Sequence, residues 1–343
     1  MSVFVAGIGA VTPAGWSVAE AAAAVRDGVR IEPQVFDQSG WEGPLRLKVV
    51  PPPRTRYPFL AHARLRRASP LSHYAAGACL EALGGAGKGI DCTRLGLVSC
   101  LQSGPVQYAC RFYEELLRDP ATASPVLFPE TVFSAPASHV AALLGGVPCA
   151  TTMLGDPGAF LHGVAMAAGW IEDGRVDYCL VFGAEEFNRI HANAFWHLDS
   201  ASTLGAGAGA VLLTRHAELP AAVELEFVTD AHTYSGGRDA AEAAKGMRAQ
   251  FGAQGVRELL CDSLGGALRL HRAEADAWKD WAGARLSPKG VLGEGLMAGS
   301  AWQTVLAIDR VLQGEFDAAN VSVVGVNQQA IGARFCVRGR NLT

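Results

Sequence analysis

Asp156 is the residue in this 343-residue chain whose type and position most need a chemical explanation. It follows a short apolar run, residues 150–154, and Gly155, and it precedes Pro157 and a helical pattern. The N–H groups at a helix start stabilise a carboxylate, which lowers its basicity and its nucleophilicity. Asp is also a preferred N-cap, and proline is favoured at the first helical position. We therefore predict that Asp156 caps this helix and that Pro157 begins it.

A strand, a long helix and a second strand must position this turn. Residues 150–154 predict a buried strand, because the apolar run is short and ends at a glycine. Apolar side chains recur at helical spacing from Phe160 to Ile171, so one face of the helix is expected to be buried. Gly174 predicts the end of the helix, and residues 178–182 predict a second buried strand.

Three histidines are the other candidate acid–base groups. His139 lies at a predicted helix start, where a histidine usually caps or packs. His191 and His197 precede Asp199 and Ser200, but no second set with metal-ligand spacing follows, and catalytic triads are rarely built from sequence neighbours. We predict a structural role for His139 and loop positions for His191 and His197.

The composition indicates a globular protein with a large core. Half of the residues are hydrophobic, 18% are charged and the net charge is −4, which leaves no general basic surface for nucleic acid. No apolar stretch reaches the roughly 18 residues of a membrane span. The start of the chain lacks the basic residues of a signal peptide, and the eight cysteines form no CxxC pair. We therefore expect a cytoplasmic protein with reduced, buried thiols.

A cofactor is not expected from the glycine patterns. The glycine-rich residues 203–213 are not followed by Lys-Ser/Thr, and the glycines after the first predicted strand are interrupted by Pro13. Both features disfavour a phosphate or dinucleotide site. We predict neither a cofactor nor a metal.

The stretch from Pro148 to Glu186 resembles the nucleophile region of the β-ketoacyl synthases, the condensing enzymes of fatty-acid and polyketide synthesis. It keeps the family's Gly-x-x-Asp turn at residues 174–177 and a Gly-Gly-x-Glu-like strand end at residues 183–185. The family's catalytic cysteine is absent. Counting forward from the preceding strand puts Asp156 at that position, and counting back from Gly174 puts Pro157 there. Neither side chain can do thiol chemistry.

The other catalytic positions of the family are altered as well. Asp262 lies in the plausible match to the first catalytic histidine, and Glu294 replaces the second, whereas Lys289 matches the family's Ser-x-Lys lysine. Residues 325–329, which include Asn327, replace the Phe-Gly-Phe-Gly-Gly loop that gates the pocket and helps form the oxyanion site. Condensation needs a thiol and two imidazoles, so the resemblance implies a chain that has lost condensing activity.

The resemblance also implies a fold. We expect an α/β, thiolase-like architecture of five layers, αβαβα, from two similar halves with a shortened second half. The N-terminal ketosynthase-like half would span residues 1–215 and the C-terminal half residues 216–343, as one intertwined unit. The family dimerises through the strand before the nucleophile, which places Thr151 and Met153 at the expected interface.

A family member without chemistry can still serve a heterodimer. Chain-length factors of type II polyketide systems, including aryl-polyene pathways, lack the cysteine and shape the acyl tunnel of an active ketosynthase. The resemblance therefore implies a Cys-containing ketosynthase as partner, in a heterodimer or heterotetramer, and an acyl carrier protein. The basic residues 64–67 are a candidate docking patch for such an acidic carrier, although a solvated helix start explains them too. The candidate tunnel residues match the pocket-proximal region of the family: Phe112, Tyr113, Leu127, Phe128 and Phe133.

Two alternatives stay open on the sequence. The chain could hydrolyse or decarboxylate an acyl thioester if the fold brings Asp156, Glu294 and Lys289 together. It could also be a homodimer that binds an acyl chain or a carrier protein without turnover. An open pocket lined by both carboxylates would favour the first, and a sealed cavity in a symmetric dimer would favour the second.

Overall fold

The computed structural model describes residues 2–36, 45–85, 90–216, 223–235, 237–252, 255–267, 270–326 and 328–338. The first half contains, in chain order, β1 (Val3–Val11), α1 (Val18–Arg26), β2 (Gln34–Phe36), β3 (Leu45–Lys48), α2 (Pro70–Gly85), β4 (Leu95–Leu101), α3 (Val106–Arg118), α4 (Ala135–Leu143), β5 (Cys149–Leu154), α5 (Ala159–Glu172), β6 (Tyr178–Glu185), α6 (Arg189–Leu198), β7 (Leu204–Gly205) and β8 (Gly207–Thr214). The second half contains β9 (Val223–Val228), β10 (His232–Thr233), α7 (Gly237–Ala249), β11 (Glu258–Cys261), α8 (His271–Ala277), β12 (Ala284–Leu286), α9 (Pro288–Leu292), α10 (Met297–Leu312), β13 (Ala318–Val324) and β14 (Gln329–Val337).

One large mixed sheet runs through both halves in the order β12-β11-β13-β14-β9-β1-β8-β6-β4-β5, with β10 beside β14. From the centre outwards, the first half has the order β1, β8, β6, β4, β5, and the second half has the order β9, β14, β13, β11, β12. When these five strands of each half are numbered along the chain, both orders are one, five, four, two, three. The two halves therefore have the same topology. They join where β1 pairs antiparallel with β9, Val3 opposite Leu225. The expected boundary between residues 215 and 216 lies between β8 and β9, beside residues 217–222, which are outside the described ranges.

Helices cover the sheet in separate layers. Helix α2 packs on one face of β1, β8 and β6, α5 and α10 lie together between the strands of the two halves, and α7 packs on the outer face of β14 and β13. The central layer buries Phe160 and Val164 of α5 together with Val305 and Ile308 of α10. The structure therefore confirms the prediction of a five-layered, thiolase-like αβαβα fold.

The central helices explain why so much of the sequence is apolar. Nearly every residue of α10 is buried, because this helix is enclosed by strands of both halves. It approaches the sheet at glycines: a Cβ on Gly209 would lie 2.9 Å from Ala301, and one on Gly183 would lie 2.9 Å from the Met297 carbonyl. Strands β6 and β8 are buried on both faces, which accounts for their continuous apolar runs.

Three predicted elements differ from the structure. Strand β5, which was predicted to be buried, is an edge strand whose residues are half-buried or exposed. Helix α5 begins at Ala159 with Gly158 as its N-cap, so Asp156 and Pro157 lie in the preceding turn. His191 and His197 lie on helix α6 and not in a loop, because Asn188 caps a helix whose apolar positions we did not recognise. None of the described helices is long and apolar enough to cross a bilayer.

Candidate functional site

The turn after β5 buries the carboxylate of Asp156. The Gly155 N–H donates to the carbonyl of Leu101 at the end of β4, which ties the turn to the edge of the sheet. Asp156 is only 4% exposed, and its Oδ1 accepts the N–H of Gly158 at 3.1 Å. Asp156 therefore does cap a backbone N–H of the first turn, although it is not the N-cap residue. The carbonyl of Pro157 accepts the Ser300 hydroxyl at 2.6 Å, which joins the turn to α10.

The loop before β14 closes over the same carboxylate. Oδ2 of Asp156 accepts the N–H of Gln328 at 3.1 Å, and Oδ1 accepts the side-chain amide of Gln329 at 2.9 Å. The other end of that amide, Oε1, lies 2.9 Å from Nε2 of His162 on α5. Asn327, which was predicted to belong to the altered gating loop, lies outside the described residues. The turn and the loop together hold the carboxylate through neutral donors.

Lys289 and Glu294 form a buried ion pair at the start of α10. Nζ of Lys289 lies 3.0 and 3.1 Å from the two oxygens of Glu294, and both side chains are 1% exposed. The Glu294 carboxylate also accepts the N–H of Ala267 at 3.0 Å and the N–H of Leu296 at 2.8 Å. Removing one partner of such a pair would leave an uncompensated buried charge, which typically costs about 3–5 kcal/mol.

The candidate acid–base residues do not form one group. No hydrogen bond or ion pair among the described residues joins Asp156 to Lys289 or Glu294. Asp262 is fully buried and separate: it accepts the Ser287 hydroxyl at 2.6 Å and pairs with Arg285 at 3.4 Å. Burial raises the pKa of Asp262 above its ordinary value. These carboxylates are therefore bound within the protein and are not directed at a shared space.

Two buried cysteine thiols on the strands of the first half are poor nucleophiles. Cys100 on β4 and Cys179 on β6 are fully buried, and burial raises the pKa of both thiols. A thiolate is the reactive form of cysteine, so neither side chain replaces the missing nucleophile.

Most of the candidate tunnel residues lie on a surface outside the core. Helix α3 has no buried residue, and the rings of Phe112 and Phe128 pack 5.5 Å apart beside Tyr113. Tyr113 and Phe128 are 58% and 56% exposed. Phe133 covers Gly104, where a Cβ would lie 2.7 Å from its ring. This exposed aromatic surface is called the α3 surface below.

The remaining tunnel candidates are placed differently. Leu127 is buried and lines a groove with Arg66, Arg67, Tyr108 and Arg111, whose volume is about 490 Å³. This groove, called the arginine groove, contains part of the basic run at residues 64–67. Thr151 and Met153 lie half-buried on β5, the edge strand of the large sheet.

Two adjacent buried carboxyls, which our sequence analysis treated only as a motif, hold the neighbouring loops. Glu185 accepts the N–H of Gln102 at 2.6 Å, and Glu186 accepts the N–H groups of Leu71 and Gln107, each at 2.9 Å. Burial raises the pKa of Glu185 to about 8 and that of Glu186 to about 7. Two consecutive acids directly after a buried strand were the signal for this clamp, because such groups need backbone donors there.

The histidines near these carboxyls have defined partners. His139 is buried, and its Nε2 lies 2.9 Å from Glu130. His191 on α6 pairs through Nε2 with the Ser103 hydroxyl at 3.1 Å, and burial lowers its pKa to about 4. Neither histidine contacts Asp156 or Glu294 among the described residues.

Comparison with known proteins places this architecture in a recognisable class. The family profile of 3-oxoacyl-[acyl-carrier-protein] synthase III matches residues 157–231, less than a quarter of the chain. No curated protein sequence matches significantly. The chain has the fold of the ketosynthases and chain length factors, as predicted from its resemblance to β-ketoacyl synthases.

Three solved structures illustrate this similarity. The ishigamide ketosynthase/chain length factor has a TM-score of 0.78 at 20% identity, over 99% of this chain and 100% of its own. A type II polyketide synthase acyl-carrier protein in complex with its ketosynthase bound to the hexaketide gives 0.78 at 15% identity, over 98% and 99%. A ketosynthase in complex with its chain length factor from Xenorhabdus doucetiae gives 0.77 at 15% identity, over 98% of each chain.

Proposed function

We propose that this chain is a non-condensing subunit of the ketosynthase fold, which pairs with an active Cys-containing ketosynthase and shapes its acyl tunnel as a chain-length factor does. Type II polyketide, aryl-polyene or fatty-acid synthesis would be its setting. The observation that carries the proposal is the site around Asp156. The Asp156 carboxylate, which the resemblance matches to the family's thiol position when counted from the preceding strand, is bound by three N–H donors and cannot do thiol chemistry.

The rest of the site supports the loss of condensing activity. The imidazole that would stabilise an enolate is replaced by Glu294, whose oxygens are fully occupied by Lys289 and two backbone N–H groups. The alternative of hydrolysis or decarboxylation by Asp156 and Glu294 gains no support, because these carboxylates have separate partners.

A partner subunit is supported by two neighbouring features of the first half. Strand β5 is an edge strand with unpaired backbone groups, and its last residue, Leu154, is 54% exposed. The α3 surface exposes Tyr113, Phe128 and Phe133, and no residue of α3 is fully buried against its own chain. Large exposed apolar patches of this kind usually mark protein interfaces. A second copy of this chain would fit the same surfaces, and a homodimeric scaffold is therefore the alternative assembly.

The arginine groove supports an acidic partner such as an acyl carrier protein. Arg66 and Arg67 form no ion pair with a described residue, and Arg111, which pairs with Glu115 at 3.7 Å, lines the same groove from α3. Unpaired arginines in a groove favour association with an anionic surface and raise the rate of encounter at low salt.

Affinity purification from the native host, with identification of the co-purifying chains and a native mass, tests the proposal. We expect a stoichiometric Cys-containing ketosynthase of similar size. A matched preparation of the double variant Arg66→Glu/Arg67→Glu should keep that partner and lose the acyl carrier protein. A clean homodimer with no ketosynthase would refute the proposed pairing.

A further inference from the structure

Asp156 lies in a recess that is built from two distant parts of the chain. The turn between β5 and α5 contributes the N–H of Gly158, and the loop before β14 contributes the N–H of Gln328 and the side-chain amide of Gln329. The three donors lie 2.9–3.1 Å from the carboxylate oxygens. Both oxygens are thus bound, one by two donors and one by a single donor.

The carboxyl group of Asp156 is bound without a basic side chain. No lysine or arginine forms an ion pair with Asp156 among the described residues, although Asp156 is only 4% exposed. Its hydrogen-bond partners are N–H groups, and the start of α5 lies beside it.

The side-chain amide of Gln329 has a fixed orientation. Its Oε1 lies 2.9 Å from Nε2 of His162, so its NH₂ end must face Asp156. Gln329 is itself 8% exposed. Because His162 holds the Gln329 amide in this orientation, its NH₂ group points into the recess even when the Asp156 side chain is absent.

The recess is also shaped closely around the carboxyl group. A Cβ on Gly325 would lie 2.0 Å from Oδ2 of Asp156, so the backbone of the loop approaches as near as a residue without a side chain allows. The space therefore matches a planar group of three heavy atoms, and the approach depends on glycine at position 325.

We propose that this recess is a binding site for small carboxylates and that the Asp156 side chain is its resident ligand. The inference does not depend on whether the chain pairs with a ketosynthase. It predicts that removing the side chain leaves a vacant site with three oriented donors, which free formate or acetate can occupy.

The number of side-chain atoms removed at Asp156 should determine which anion binds in the recess. Asp156→Ala removes the carboxyl group and keeps Cβ, so the vacancy matches formate, whereas the methyl group of acetate would overlap the retained Cβ. Asp156→Gly removes Cβ as well, and the lost atoms are those of acetate. We expect the alanine variant to respond to formate and little to acetate, and the glycine variant to respond to both.

The measurement is the thermal unfolding midpoint as a function of anion concentration at constant ionic strength, with chloride as the balancing salt. Both variants should unfold below the wild-type temperature, and the matching anion should raise the midpoint by a few degrees in a saturable manner. Wild type, Asp156→Asn, whose side chain fills the recess, and Asp173→Ala, a change of an exposed carboxylate, should not respond.

Equal midpoints in formate and chloride for a folded Asp156→Ala variant would overturn the proposal. An equal rise in wild type and in Asp173→Ala would also overturn it, since that result is a general effect of the anion. If the alanine variant is insoluble, formate in the refolding buffer should raise the soluble yield severalfold over chloride, and an unchanged yield counts against the site.

Discussion

At the scale of single residues, the role of a side chain in this site depends more on its hydrogen-bond partners than on its chemical type. The charged residues that the resemblance matches to the family's reactive positions each have hydrogen-bond partners in their own chain. Asp156 is bound by backbone and amide groups, and Lys289 is bound by Glu294. Polar groups that satisfy one another in a buried place contribute to structure and leave no reactive atom for a substrate.

Sequence analysis identified these residues, but it could not identify their partners. The match of Asp156 or Pro157 to the thiol position, and of Glu294 to an imidazole position, comes from the resemblance to the β-ketoacyl synthases and stays a prediction. The contact between Asp156 and Gln329 joins residues 173 positions apart, and no local pattern encodes it. Glu185 was visible as part of a motif, whereas its role depends on loops from β4 that arrive only in the folded chain.

The stability of the protein should fall as pH rises through the neutral range, because of Glu185 and Glu186. Their pKa values in the folded protein are about 8 and about 7, above the ordinary value of 4.5. Between pH 4.5 and those values the folded state holds protons that the unfolded state has released. Each such group therefore lowers the free energy of unfolding by about 1.4 kcal/mol per pH unit in its window.

Urea unfolding of wild type and Glu185→Gln from pH 5 to pH 9 measures this effect. Glutamine is neutral in both states, so the variant loses the contribution of Glu185 and should show a shallower fall than wild type. Parallel curves for the two proteins would show that Glu185 is ionised in the folded state at neutral pH.

Elements were predicted more reliably than their ends. The strand–helix–strand unit around Asp156 was recognised from two short apolar runs and from apolar residues at helical spacing between them. The start of α5 was placed too early, since Asp156 turns away to cap Gly158 and the helix follows only at Ala159. Helix α6 was missed because it is short and buries only Ala192 and Phe195, so its apolar periodicity is weak.

The start of α10 carries a strained residue that gives an unusual prediction. Leu296, the N-cap, adopts φ 48° and ψ −116°, a conformation that favours glycine, and its side chain is 1% exposed. Leu296→Ala loses the buried side chain and keeps the strain, at a cost of about 2–5 kcal/mol. Leu296→Gly loses the same contacts and relieves strain worth about 1–3 kcal/mol.

We therefore expect the glycine variant to be more stable than the alanine variant by about 1 kcal/mol in urea unfolding. This order is the reverse of the usual one, in which glycine is the less stable residue by a similar amount. The usual order at position 296 would mean that the backbone relaxes when the leucine side chain is removed.

At the scale of the whole molecule, the proposed association uses one edge of the large sheet. Strand β5 ends the sheet in the first half, and the α3 surface lies in the same half. The layers were predictable from the resemblance to a known family, whereas the exposure of α3 could not be read from the sequence. An amphipathic helix looks the same whether its apolar face meets its own core or a partner.

Leu154→Lys should prevent association without reducing the stability of the monomer. A lysine at the end of an exposed edge strand opposes strand pairing and apolar contact, and Leu154 is already 54% exposed, so little core packing is lost. Native mass spectrometry of the co-expressed subunits gives the fraction assembled. The matched control is Val256→Lys, a change of a 99% exposed residue in the second half, which should leave assembly unchanged. Full assembly of the Leu154→Lys protein would exclude β5 as the interface.

The lengths of the two edge strands of the large sheet also limit how many copies of the fold can associate through sheet edges. Strand β5 offers six residues for pairing, whereas β12 at the opposite end has three. So short an edge is a poor template for a further chain. In the proposed assembly, growth that begins at β5 would therefore stop after one addition, which gives a closed pair of subunits and not a filament.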